Sequence, residues 1–99
     1  MLLKGSIRRP KTGILVEKNK AVALKYSEEL PAPFIAARGK GRLADRMIAI
    51  AAEEGIPIEQ REDLTEVLFT LDAGSFIPEE LYELIAQLYV TIADVQEVV

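Results

Sequence analysis

The sequence contains no cysteine and no histidine. These two absences remove disulfide frameworks, Cys/His zinc sites, thiol nucleophiles and every catalytic arrangement built on an imidazole base. The adjacent carboxylates Glu53/Glu54 and Glu79/Glu80 do not fill the gap, because neighbouring residues on a helix point about 100° apart and do not converge on one substrate. They read as solubility and helix-start charges, so no catalytic residue, metal ligand or cofactor is expected. Long apolar runs are also missing. None approaches the roughly 20 residues of a membrane helix, and the Met1-Leu2-Leu3-Lys4 start lacks a signal-peptide core. The expectation is a cytoplasmic chain without a membrane span. No internal repeat or low-complexity tract is visible.

What is present suits one small globule. At 99 residues, 49% apolar and 28% charged, the chain has the composition of a folded domain and the length for a single core, burying roughly 60–68% of its unfolded surface. The net charge of −4 conceals an asymmetry. Residues 1–42 carry ten Lys/Arg against three Glu, and residues 45–99 carry two Arg against thirteen Asp/Glu. A basic first half suits either an anion or nucleic-acid footprint or a polar strand region facing an acidic helical layer.

Residues 1–12 mix Lys4, Arg8, Arg9 and Lys11 with Gly5 and Pro10, show no sustained period, and read as an arm or a loosely attached strand ahead of a domain at 13–99. Ile14-Leu15-Val16 and Ala21-Val22-Ala23-Leu24-Lys25-Tyr26 read as two strands. Pro31 and Pro33 mark a loop, Phe34-Ile35-Ala36-Ala37 a third strand, and Arg38-Gly39-Lys40-Gly41-Arg42 a turn into a helix. That helix places Leu43, Met47, Ile50 and Ala51 on its apolar face and stops at Gly55. Ile56-Pro57-Ile58-Glu59 is a short extended segment whose proline suits a sheet edge. The strand-helix-strand order predicts a crossover between parallel strands. Asp63 and Glu66 have capping-box spacing ahead of a short helix with a Leu64, Val67, Leu68, Leu71 stripe. Gly74 ends that helix or the loop after it. Pro78-Glu79-Glu80 opens a last helix reaching about Gln96, roughly 30 Å long, with Leu81, Leu84, Ile85, Leu88, Ile92 and Val95 as its buried stripe. The predicted fold is α/β, two-layered, with a small mixed four-stranded sheet and three to four helices packed on it.

Several of these segments, in this order, resemble the cytoplasmic domain of the FlhB, YscU and EscU family of type III export switch proteins. They are Ala21-Val22-Ala23-Leu24-Lys25-Tyr26, Ala32-Pro33, Leu43-Ala44 with Met47, Gly55-Ile56-Pro57-Ile58 and Ile77-Pro78-Glu79-Glu80-Leu81-Tyr82; the resemblance covers about residues 21–92. It implies that family's fold and a binding rather than catalytic role, with flagellar export substrates or export apparatus proteins as partners. Family members carry Asn-Pro-Thr-His-Tyr before the Ala-Val-Ala-Leu strand and cleave themselves between Asn and Pro. Ungapped alignment places Val16-Glu17-Lys18-Asn19 there, with Lys20 at the tyrosine. Asn19 is the only asparagine and is followed by Lys20, so no self-cleavage is expected. The family's membrane half has no counterpart in these residues, which suggests a free-standing paralogue. The family's Pro-Pro-Leu-Ala-Arg stands here as Glu62-Asp63-Leu64-Thr65-Glu66, a reversal of charge that would alter binding by any partner using the arginine.

The resemblance also carries over a shallow apolar patch that receives export substrates, at Ala32, Pro33, Ala86 and Tyr89. The alternative is that Ala86 and Tyr89 pack the last helix and Pro33 shapes a loop. A tyrosine at 89, where leucine is common, narrows the patch and adds a hydroxyl. The Arg38 to Arg42 stretch lacks phosphate-loop spacing and reads as a solvated turn, with anion contact at the helix start as the lesser reading. An RNA- or anion-binding role would rest on Lys4, Arg8, Arg9, Lys11, Lys18, Lys20 and Arg42. It lacks interleaved aromatics beyond Tyr26 and Phe34.

Overall fold

The structure, a computed structural model, describes residues 11–27 and 29–87. Alternating side chains on short β-rich segments form four strands: β1 (Lys11–Glu17), β2 (Lys20–Tyr26), β3 (Phe34–Lys40) and β4 (Ile58–Gln60). They make one mixed sheet in the order β3-β2-β1-β4. β1, β2 and β3 pair antiparallel, and β4 joins β1 in parallel. Helix α1 (Arg42–Glu54) connects β3 to β4, the two edges of the sheet, as the predicted crossover requires. Helix α2 (Glu62–Phe69) follows. After a loop, a 3₁₀ turn at Glu79–Leu81 leads into a helix, α3, over 82–87.

The mixed four-stranded α/β sheet is as expected, but the helices divide between its two faces instead of forming one layer. Because successive strand residues point to opposite sides, β1 and β2 split into two sets. Leu15, Val22 and Leu24, with Ile35, form one core with Leu64, Leu68, Ile77 and Ile85. Ile14, Ala21 and Ala23 form the other with Ala44 and Ala51 of α1. The sheet is thus the middle of three layers. Its strands carry near-continuous apolar runs because both faces are covered.

Several local expectations need correcting. Lys11 and Thr12 belong to β1, paired with Tyr26 and Lys25. Arg38, Gly39 and Lys40 are strand, and only Gly41 turns, its N–H donating to the Asn19 carbonyl at 2.8 Å. Gly39 is needed for close approach. A Cβ there would lie 2.6 Å from Leu43 Cγ and 2.9 Å from Met47 Sδ, so α1 rests directly on the strand backbone. On α1 the buried positions are Ala44 and Ala51, while Leu43 is 54% and Ile50 49% exposed. The small residues set the helix against the sheet, leaving the large ones on its flank. Asp63 is not a cap: Arg61 is the N-cap of α2, without a side-chain hydrogen bond, and Asp63 lies in the first turn. Val67 and Leu84 are exposed, whereas Thr65 is fully buried. The expected end of α1 holds, with Gly55 in the left-handed conformation at φ 72°. The expectations for Leu88, Ile92 and Val95, and for the arm over 1–10, lie outside the described residues. Among the described residues no helix is long and apolar enough to cross a membrane.

Candidate functional site

The two prolines at 31 and 33 keep the chain between β2 and β3 out of helix, and the Phe34 end of β3 becomes a sheet edge. An unpaired edge exposes main-chain donors and acceptors. Here it is closed by the segment after α2. Ile35 N–H donates to the Ser75 carbonyl (2.9 Å), Gly74 N–H to the Ile35 carbonyl (2.6 Å), and Ile77 N–H to the Pro33 carbonyl (2.7 Å). Phe34 and Phe76 meet edge to face, with ring centroids 5.9 Å apart. The Pro33 loop is thereby tied to the start of the last helix.

Of the four carried-over patch residues, Ala32 is only 6% exposed and offers little surface, Pro33 is half-buried, and Ala86 is exposed. Tyr89 lies outside the described residues. Sequence reading passed over the exposed apolar residues nearby in the chain: Phe76 (50% exposed), Tyr82 and Leu84. Leu84 had been assigned to the buried stripe. The signal against that was present, since Leu81 and Ile85 stand four apart and already define the inward face.

A second cluster gathers around the β1–β2 hairpin. Glu17 and Lys20 pair across a two-residue turn in which Lys18 has φ 51°. Both Glu66 oxygens accept from Lys20 Nζ at 3.1 Å. Glu17 is buried against Glu66. A hydrogen bond to Glu66, then burial and the Glu66 charge, raise the Glu17 pKa above its ordinary value, while the bonds from Glu17 and from Lys20 lower that of Glu66. Lys20 and Arg38 each sit 5.3 Å from the Phe69 ring centroid. Arg38 also donates to the Phe69 carbonyl at 2.5 Å and lies 3.6 Å from Asp72. Lys20 and Glu66 occupy the positions where the resemblance gives tyrosine and arginine; two departures far apart in sequence hold each other in space. The same pairing engages Lys20, one of the cations of the RNA-binding reading. Lys18 and Arg42 are exposed. The Lys11 side chain and residues 4, 8 and 9 lie outside the description.

The position aligned with the scissile asparagine is Val16. It pairs with Ala21 and Gln60 in the sheet, and its carbonyl accepts from Arg61 N–H at 3.2 Å. Its side chain holds no nucleophile.

Residues 18–92 match the family model described as the FlhB HrpN YscU SpaS Family. The chain belongs to that family. It is 42% identical over 71 residues to the uncharacterized protein YlqH of Bacillus subtilis, covering 71% of this chain and 76% of YlqH. It is 33% identical over 105 residues to the flagellar biosynthetic protein FlhB of Helicobacter pylori, covering 98% of this chain and 29% of that protein. The chain therefore spans less than a third of that FlhB. Its fold is that of the cytoplasmic domain of FlhB from Shewanella putrefaciens, with a TM-score of 0.81 at 29% identity, over 86% of this chain and 67% of that one. A point-substituted EscU C-terminal domain superposes with a TM-score of 0.79 at 28% identity, over 83% of this chain and 84% of its own.

Proposed function

We propose that this FlhB-family chain is a non-catalytic module of the flagellar type III export apparatus, acting in the cytoplasm. It docks export substrates or apparatus proteins and does not cleave itself. The observation that carries the docking reading is the hydrogen bond from Ile77 N–H to the Pro33 carbonyl. It joins the Pro33 loop to the segment that leads into α3, whose exposed residues include Tyr82, Leu84 and Ala86. Ala32 supports this surface from within, and Tyr89 would extend it. Exposed apolar residues beside a rigid loop suit occupancy by a partner's apolar side chains.

The absence of cleavage follows from Val16. Cleavage by the family's route needs a side-chain amide to attack its own carbonyl carbon, and valine supplies none. Glu17 has an N–H in place of the imino acid, so the leaving group differs too.

Titration calorimetry against an early hook or rod subunit and against the soluble domain of the export gate tests the docking. Micromolar binding that weakens at least about tenfold in Ala86→Asp is the expected result. No binding of either partner at high micromolar concentration overturns it. Intact-mass measurement after incubation tests the second part: one species is expected, and two fragments separated near residues 16–20 would refute it. Binding should depend weakly on salt, whereas the RNA-binding alternative requires a steep loss with ionic strength.

A further inference from the structure

The α1 face of the sheet carries a feature that the docking surface above does not use. Ala23, Ala37, Ala51 and the half-buried Met47 leave the space between helix and sheet incompletely filled. The result is an open cleft of about 180 Å³ whose lining is apolar except for Thr12, with buried Ile14, half-buried Ile56 and exposed Ile50 among its walls. An apolar cavity of about 150 Å³ holds a benzene molecule, so this one accommodates a single aromatic or branched aliphatic side chain.

Strand register shows what lies beside the opening. Ile14, Ala23 and Ala37 form one cross-strand row of the floor. The next row on the same face runs Thr12, Lys25, Phe34, and continues through the bridge to Phe76. Thr12 itself lines the cleft. A cation therefore stands in a row whose other end is the half-buried Phe34 and the exposed Phe76, and Lys25 has no ion-pair partner among the described residues.

We propose that this cleft is a second docking surface, taking a peptide segment from another protein that inserts one apolar side chain while placing a carboxylate against Lys25. The apolar pocket supplies the anchor, Phe34 and Phe76 extend the contact, and Lys25 fixes its polarity. The chain's own residues 1–10 carry Lys4, Arg8 and Arg9 and no carboxylate, so they lack the complementary charge. The cleft lies on the α1 side, opposite the core that holds Ile77 and Ile85.

Methyl-resolved NMR titration of the full chain tests the assignment. The probes are a synthetic amphipathic peptide whose apolar stripe is flanked by glutamates, and its lysine-flanked counterpart. The glutamate peptide should shift the Ile14, Ala23, Ala37 and Ile50 methyls and bind at least about tenfold more tightly than the lysine peptide. Lys25→Glu should reverse that preference. Ile50→Glu, at an exposed rim position, should weaken both peptides while leaving the remaining spectrum unchanged, which covers failure of the first variant to fold. Equal binding of the two peptides, shifts confined to the Leu84 and Ala86 methyls, or no shift at millimolar peptide would each overturn the proposal. So would concentration-dependent shifts of the same methyls without peptide, which would assign the cleft to a second copy of the chain.

Discussion

The same strands present two different surfaces. Toward α2 and α3 they offer Leu15, Val22, Leu24 and Ile35, all fully buried. Toward α1 they offer Ala21, Ala23, Ala37 and Gly39. Large side chains on the first face fill the interlayer space and leave α2 and α3 to supply matching Leu64, Leu68 and Ile85. Small ones on the second draw a helix against the backbone, so that its own large residues, Leu43 and Ile50, are displaced to the exposed flank. The larger buried side chains lie on the first face, and the apolar cleft between helix and sheet on the second.

Truncation should expose that contrast most strongly. Leu24→Ala removes a fully buried side chain from the larger core and should cost about 2–5 kcal/mol. Ile50→Ala, on a half-exposed position, should change stability by no more than about 0.5–1 kcal/mol. Denaturant midpoints of the two variants measure the difference, and equal losses would show that the α1 flank is as much a part of the core as the central strand. Overpacking tests the closer face. Gly39→Val places a side chain where Leu43 and Met47 already sit, with an expected loss of about 1–3 kcal/mol. Adding Met47→Ala should restore part of it, because the collision is with a flexible side chain.

A smaller effect of opposite sign belongs to the large-residue face. Thr65 is fully buried on α2, and its hydroxyl has no hydrogen-bond partner among the described residues. Thr65→Val keeps the shape and removes the unsatisfied group, which should stabilise the fold by about 1 kcal/mol and raise the melting temperature by about 4–8 °C. An unchanged or lower melting temperature would mean that the hydroxyl is satisfied by solvent.

These contrasts explain what was legible beforehand. Strand positions, the crossover and the Gly55 stop follow from local patterns of period, proline and glycine, and the family resemblance follows from short segments in fixed order. The division of helices between two faces is encoded in Ala21-Val22-Ala23-Leu24, whose alternation sends the small residues to one face and the large ones to the other. On α1, hydrophobicity pointed to Leu43 and Ile50, but the inward face is set by alanine spacing at 44 and 51, because close helix–sheet packing selects size over apolarity. Capping failed at Asp63 because the chain leaves β4 extended and begins the helix two residues sooner, with Arg61 as N-cap. The Phe76 edge closure and the Lys20–Glu66 pair join residues 42 and 46 positions apart, respectively, and no local pattern reports such a contact. The carried-over patch fared likewise: Pro33 and Ala86 reach the surface, but burial of Ala32 depends on the closure of an edge by a distant segment.

The hairpin cluster gives the finest test, because its two carboxyls act in opposite directions on the α2 side of the sheet. Glu17 has its pKa raised, so its contribution is complete below the ordinary value of 4.5 and is lost as pH rises through the elevated one. Glu66 has its pKa lowered, so its contribution is present above 4.5 and is lost as pH falls through the depressed one. Above the elevated value the first is lost: Glu17 gives up the proton with which it meets Glu66, and two carboxylates face each other with Lys20 beside them. Glu17→Gln replaces that proton with an amide donor that does not titrate. The variant should therefore gain on the parent in denaturant midpoint as pH rises through the elevated Glu17 value, and the gap should narrow as pH falls toward 4.5. Parallel curves would show that Glu66 is held by Lys20 alone and that Glu17 is only a buried neighbour.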